Sequence, residues 1–203
     1  MRPVCPRCER PTSTCLCPSL PLPVDTRLGL LILQHPAEAG HAKNTTALLT
    51  LGLSRAVRLR GERFDAALAR PGDVLLYPGH QADNADNADE ADEAAAPRAV
   101  AGLQPAVADA RRLILLDGNW RQSRRLLATH PWLGALPRWS LPQQPSRYAI
   151  RRAHRPGQLS TFEAGLHALA LLEGDGERFA PLWAAFEAFV QAGLARRGQS
   201  GLT

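Results

Sequence analysis

The chain has 203 residues, 45% of them hydrophobic and 21% charged, which is the composition of one globular domain able to bury a core. Collagen-like, coiled-coil and wholly disordered chains are excluded, and no apolar run approaches the length of a membrane span. The formal charge of +5, from 24 Lys and Arg against 19 Asp and Glu, points away from basic partners and toward anionic ones.

The first 17 residues hold all four cysteines, as Cys5-Pro-Arg-Cys8 and Cys15-Leu-Cys17. A C-x2-C pair facing a C-x-C pair across six residues brings four thiolates to one tetrahedral zinc ion. Two disulfides are the alternative, which a reducing compartment disfavours, and unliganded thiols are the other. Met1-Arg2-Pro3-Val4 lacks the apolar run of a secretory signal, so the expected setting is cytoplasmic. A four-thiolate zinc site has no open position for substrate. Its expected role is structural or RNA-contacting, and it sets a knuckle over residues 1–20 apart from a domain over 21–203.

Leu28 to Gln34 is a continuous apolar run, suited to a strand buried on both faces. Gln34-His35-Pro36-Ala37-Glu38 leaves that strand, and Lys43-Asn44-Thr45 enters a helical pattern over 42–53. Val74 to Tyr77 is a second strand, ending in a turn at Pro78-Gly79 that suits the wall of a flat ligand. Residues 82–96 repeat Ala-Asp-Asn and Ala-Asp-Glu, and read as an inserted loop or an Ala-rich surface helix. Leu113 to Leu116 is a third strand. Helical patterns follow over 120–128, 161–172 and 179–195, the last with Leu182, Phe186, Phe189, Val190 and Leu194 on one stripe. Strands alternating with helices predict an α/β layer with a mostly parallel sheet.

Six of the 19 acids lie in 82–96, so the rest of the chain holds 24 basic residues against thirteen acidic ones. Between Arg111 and Arg155 there are ten arginines and one acid, Asp117. Arginine forks match phosphate geometry, and the excess is regional, so this stretch predicts a nucleic-acid face. A solvated basic surface is the plainer alternative. Asp117-Gly118-Asn119-Trp120 sits where an apolar strand ends and a helix begins. In open parallel sheets that rim is where ligands bind. Asp117 or Asn119 also suits the cap of the following helix. Farther on, Ser160-Thr-Phe-Glu163 spells a capping box, and the same helix start offers N–H groups to an anion.

Taken together, the cysteine knuckle, His35-Pro-x-Glu38 with Asn44-Thr45, Leu76-Tyr77-Pro78, Asp117-Gly-Asn-Trp120 and Leu159-Ser-Thr-x-Glu-Ala164 resemble the DTW-domain family of tRNA-uridine aminocarboxypropyltransferases. The resemblance covers nearly the whole chain, with 82–96 as an insertion. The family signature is Asp-x-Thr-Trp, and Asn119 stands here in place of the threonine.

The resemblance implies a SPOUT-like sheet flanked by helices, with a C-terminal trefoil knot lining the cofactor pocket in a catalytic domain over 21–203. It implies transfer of the 3-amino-3-carboxypropyl group of S-adenosylmethionine to N3 of a tRNA uridine, releasing methylthioadenosine. Asp117 is then the expected general base. An unperturbed Asp, with a pKa of about 3.9, is a poor base unless burial raises it, and an orienting role is the alternative. Expected around S-adenosylmethionine are Tyr77, Pro78, Gly79, Leu116, Gly118, Trp120, Leu159, Ser160, Thr161 and Glu163. Expected on RNA are Lys43, Arg121, Arg124, Arg125, Arg151, Arg152 and Arg155. Zinc is expected on Cys5, Cys8, Cys15 and Cys17. No feature points to an obligate protein partner. The rival readings are a SPOUT-type RNA methyltransferase, a non-enzymatic zinc-ribbon RNA-binding protein, and rRNA in place of tRNA as substrate.

Overall fold

The structure is a computed structural model that describes residues 3–41, 43–77, 105–142, 144–150 and 159–200. Five strands form one sheet: β1 (Gly29–Gln34), β2 (Ala56–Arg60), β3 (Asp73–Leu76), β4 (Arg112–Asp117) and β5 (Arg138–Trp139), in the order β2-β1-β4-β3-β5. Every pairing is parallel. The helices are α1 (Thr46–Gly52), α2 (Pro105–Ala108), α3 (Trp120–Thr129), α4 (Pro131–Gly134), α5 (Thr161–Glu173) and α6 (Ala180–Ser200).

The continuous apolar runs of β1 and β4 follow from their central position. Leu30, Ile32, Leu113 and Leu115 face one core together with α1, α5 and α6. Leu31, Leu33 and Ile114 face a second core with Leu75, Tyr77 and Leu133. Both faces being covered, no alternation of polar residues is needed. The first core carries the aromatic mass. Phe162, Phe179 and Phe186 are fully buried, and the rings of Phe162 and Phe186 stack at 4.7 Å. Burial stabilises each by about 1.5–3 kcal/mol. Helix α5 approaches this closely because Gly165 faces Leu49 and Leu115; a Cβ there would meet both side chains at 3.2–3.3 Å.

The strands and helices expected from the pattern are present, with boundaries shifted by a few residues. Two further strands are present. β2 is an edge strand carrying Arg58 and Arg60, and β5 is two residues long. Along the α6 stripe, Leu182, Phe186, Phe189 and Val190 are buried, while Leu194 is exposed. The acidic segment 82–96 lies outside the described residues, as does 151–158, the approach to α5. Among the described residues no helix is long and apolar enough to cross a membrane.

Parallel strands put all their carboxyl ends on one rim. Gln34 ends β1 and Asp117 ends β4, and the two are register partners. The loops that follow, and the starts of α1, α3 and α5, gather over that rim.

Candidate functional site

Asp117 is 6% exposed. Its Oδ2 accepts from Gln34 Nε2 at 2.8 Å and from Asn44 Nδ2 at 2.9 Å, and its Oδ1 accepts from Thr161 Oγ1 at 2.6 Å. A carboxylate has about four acceptor positions, so three are filled and the remaining one is on Oδ1. Asp117 does not cap α3. Asn119 does, in a capping box with Gln122: its Oδ1 accepts from Gln122 N at 2.9 Å, and Gln122 Oε1 accepts from Asn119 N at 2.7 Å. Threonine and asparagine are both good N-caps, so Asn119 can fill the helix-starting role of the family's threonine.

Asp117 lines a cavity of about 180 Å³ with Glu38, His41, Lys43, Asn44, Thr45, Gly118, Asn119, Tyr148, Ser160 and Thr161. That volume holds a nucleobase or an amino-acid side arm, and is below the 300 Å³ or so of a site enclosing a drug-sized ligand. Lys43 is exposed at its mouth. Tyr148 is buried and its hydroxyl donates to the Lys43 carbonyl, tying the 144–150 loop to the 43–45 loop.

Ser160 and Glu163 form the expected capping box. Glu163 is 0% exposed and lies behind the cavity. Its oxygens accept from Ser160 N and Oγ at 2.8 Å, from Arg147 N at 2.6 Å and from Ser146 Oγ at 3.1 Å. Glu163 therefore staples the 144–150 loop to the start of α5, and its oxygens are spent within the protein. Leu159 is half-buried next to Ser160, and Leu116 is half-buried against the second core.

Tyr77 and Trp120 sit elsewhere on the rim. Their rings stack on each other at 5.5 Å and 6°. Trp120 is 43% exposed and lines a broad groove of about 670 Å³ with Arg121, Arg124, Arg125, Leu127, Ala128 and Arg138. The three expected RNA-facing arginines of α3 thus share one surface with an exposed indole. A neighbouring cavity of about 490 Å³, lined by His35, Glu62, Phe64, Arg125 and His130 among others, continues past Arg125. Pro78, Gly79, Arg151, Arg152 and Arg155 lie outside the described residues.

The four cysteine Sγ atoms lie within 4.8 Å of one another, and no disulfide joins them. Cys5 to Cys17 and Cys8 to Cys15 are each 3.7 Å. Ligands about 2.3 Å from a tetrahedral centre stand about 3.8 Å apart, so the cluster has the dimensions of a four-thiolate metal site. Backbone N–H groups of Cys8 and Arg7 pull the Cys5 thiol down to about 6, while burial beside the other sulfurs pushes Cys17 up to about 12. The four cysteines can bind a metal ion. Arg10, buried behind them, reaches the Asn44 carbonyl, and its guanidinium lies 4.6 Å from the centre of the Phe189 ring.

Pattern reading missed Gln34, Asn44, Thr46 and Tyr148 as parts of this site. The signal for Gln34 was its polarity at the end of an otherwise apolar strand, one residue short of where that strand leaves the sheet.

The sequence profile described as DTW domain matches residues 2–194. A protein named tRNA-uridine aminocarboxypropyltransferase 2 from Drosophila melanogaster is 33% identical over 186 residues, covering 85% of this chain and 68% of its own length. Its namesake from Mus musculus is 34% identical over 194 residues, with 85% of this chain and 57% of its own length covered. The Arabidopsis thaliana tRNA-uridine aminocarboxypropyltransferase A is 27% identical over 203 residues, covering 87% and 75%. This chain thus spans little more than half of the mouse protein. No solved structure matches significantly.

Proposed function

The chain belongs to the DTW domain family, and from that premise we propose that it transfers the 3-amino-3-carboxypropyl group of S-adenosylmethionine to N3 of a tRNA uridine. The observation that supports this most is Asp117: a buried carboxylate, fixed by three hydrogen-bond donors, with its one remaining acceptor position on an oxygen bordering a nucleobase-sized cavity.

In this reading Asp117 Oδ1 accepts the uridine N3–H and takes its proton. N3 attacks the γ-carbon of the amino-acid chain, the S–Cγ bond breaks, and its electron pair stays on sulfur, leaving neutral methylthioadenosine. The sulfonium activates the methyl carbon as well, so selectivity rests on which carbon is held in line with N3. The walls that do this are His41, Tyr148, Gly118 and the start of α5. Thr161 and Phe162 carry the first-turn N–H groups that the capping box does not use, and they suit the amino-acid carboxylate.

The groove of Trp120, Arg121, Arg124, Arg125 and Arg138 carries the tRNA, with arginines on phosphates and the exposed indole stacked on a base. Lys43 adds a cation at the cavity mouth. Tyr77 stacks on Trp120 and supports it from behind. The four cysteines hold a structural zinc ion, for which thiolate donors at this spacing are suited. A cytoplasmic setting fits thiols held out of disulfides.

The test is nucleoside mass spectrometry of tRNA incubated with the protein and S-adenosylmethionine labelled in its amino-acid chain. Aminocarboxypropyl-uridine with methylthioadenosine is the expected product pair. A methylated nucleoside with S-adenosylhomocysteine would sink this function in favour of a methyltransferase, and no turnover with tRNA bound would leave an RNA-binding module.

A further inference from the structure

One residue of the cysteine knuckle reaches the edge strand β2. Glu9, between Cys8 and Arg10, holds φ at 56°, the single positive φ of a non-glycine residue among the described residues. The left-handed region is costly for a side chain with a Cβ and cheap for glycine. A glutamate held there points to a need for its carboxylate. That carboxylate binds two arginines of the edge strand β2: Arg60 Nη2 at 2.5 Å and Arg58 Nη2 at 2.9 Å, both on Oε2.

Each arginine passes the constraint inward. Arg60 Nε donates to Gln34 Oε1 at 3.2 Å, and Arg58 Nη1 reaches Thr46 Oγ1 at 3.4 Å. Gln34 Nε2 donates to Thr46 Oγ1 at 3.0 Å and to Asp117 Oδ2 at 2.8 Å. An amide has one acceptor end and one donor end. With Arg60 on its oxygen, Gln34 must turn its nitrogen to Asp117; the flipped amide would set an oxygen against the carboxylate and a nitrogen against a cation. The seam beside this chain of contacts encloses only about 10 Å³, room for about one water, so no ligand fits between knuckle and strand.

We propose that Glu9 is a positioning residue for Asp117, holding Arg60 and Arg58 so that the Gln34 amide fixes the rotamer of the carboxylate at the cavity. The proposal rests on the reading of Asp117 as the group that meets uridine. Glu9 and Arg60 are both substantially exposed, and ion pairs of that kind add little to stability. The effect is on orientation: misplacing a reacting group by a fraction of an ångström is costly to rate without weakening binding.

Glu9→Gly keeps the left-handed backbone while deleting the carboxylate, and it is compared with Gln34→Leu and the double variant in the full-length protein. Expected for Glu9→Gly is a fall in kcat of about tenfold, with KM for S-adenosylmethionine and Kd for tRNA within about twofold of wild type. Metal content stays the same, and the side-chain amide resonances of Gln34 move. In the Gln34→Leu background Glu9→Gly then adds no further loss of kcat. Unmoved Gln34 resonances, multiplying effects in the double variant, or loss of metal together with activity would each overturn the proposal. Asp117→Asn run alongside separates the two readings: full activity there removes the catalytic reading itself, while the Gln34 resonances still report whether Glu9 reaches the strand.

Discussion

Gln34 and Asp117 are register partners at the ends of adjacent parallel strands, and their side chains meet at 2.8 Å. The pairing of β1 with β4 therefore builds the site, and the carboxylate is as well placed as the strands are. Asp117→Asn keeps the shape and puts an amide in its position. Transfer to tRNA falls by about 10²–10⁴-fold, the usual worth of a positioned base. Labelled S-adenosylmethionine reads the rate, and calorimetry checks that tRNA binding persists.

The groove beside α3 makes an electrostatic prediction. Replacing Arg121, Arg124 and Arg125 together by Ala weakens tRNA binding and reduces the slope of log K against log salt. Each lost phosphate contact lowers the slope by about 0.7–0.9, so the triple variant loses about 2–3 in all. Filter binding over a salt series measures it, and an unchanged slope assigns the RNA to another face.

Helix α6 and the 144–150 loop touch at Gly193. A Cβ there would meet Ile150 side-chain atoms at 2.8 and 3.0 Å, and a β-branched neighbour has little freedom to yield. Gly193→Ala destabilises the fold by about 1–3 kcal/mol. It also displaces the loop carrying Tyr148, so affinity for S-adenosylmethionine drops. Denaturant titration and calorimetry test the two effects separately.

The proposed zinc site predicts one zinc ion per chain on metal analysis of the protein. Cys8 is the most buried of the four sulfurs' residues at 2% exposure, and Cys8→Ser removes the ion. Because Arg10 ties the knuckle to the Asn44 carbonyl and to Phe189, loss of the ion also lowers the melting temperature of the whole domain. A zinc-free variant with an unchanged Tm would confine the knuckle to a local role.

His167 is half-buried against Trp183, and desolvation holds its pKa below the ordinary 6.5. The folded state then binds fewer protons than the unfolded one as pH falls below 6.5. Stability present above that value is lost on acidification. His167→Gln flattens this decline, by a small amount because the ring is only partly covered. Urea titrations between pH 7.5 and 5 compare the two proteins.

Much of the fold is written locally. Runs such as Leu113-Ile-Leu-Leu116 are apolar on both faces because both faces are covered, and the four cysteines announce their cluster by spacing. Strand β2 escapes this reading because its arginines serve Glu9 and Gln34, contacts made across 26 to 51 residues of sequence. Glu163 had the pattern of a capping box and is one, yet its role in stapling Ser146 and Arg147 depends on a loop brought in from the other side of the helix start. Tyr77 read as a ligand wall because it ends a strand. Its stacking against Trp120 follows from the order β4-β3, which no local pattern encodes. Asp117 was legible as a strand-end acid in basic surroundings, but its three partners come from β1, the 43–45 loop and α5.

The near-parallel stack of Trp120 on Tyr77 has an optical consequence. Trp120 is more exposed than the other three indoles of the chain. A base inserting beside it would quench its emission, and the difference between the native protein and Trp120→Phe isolates that signal. The groove proposed for tRNA thus carries its own fluorescent reporter, through which occupancy by a polynucleotide can be tested in real time without any label.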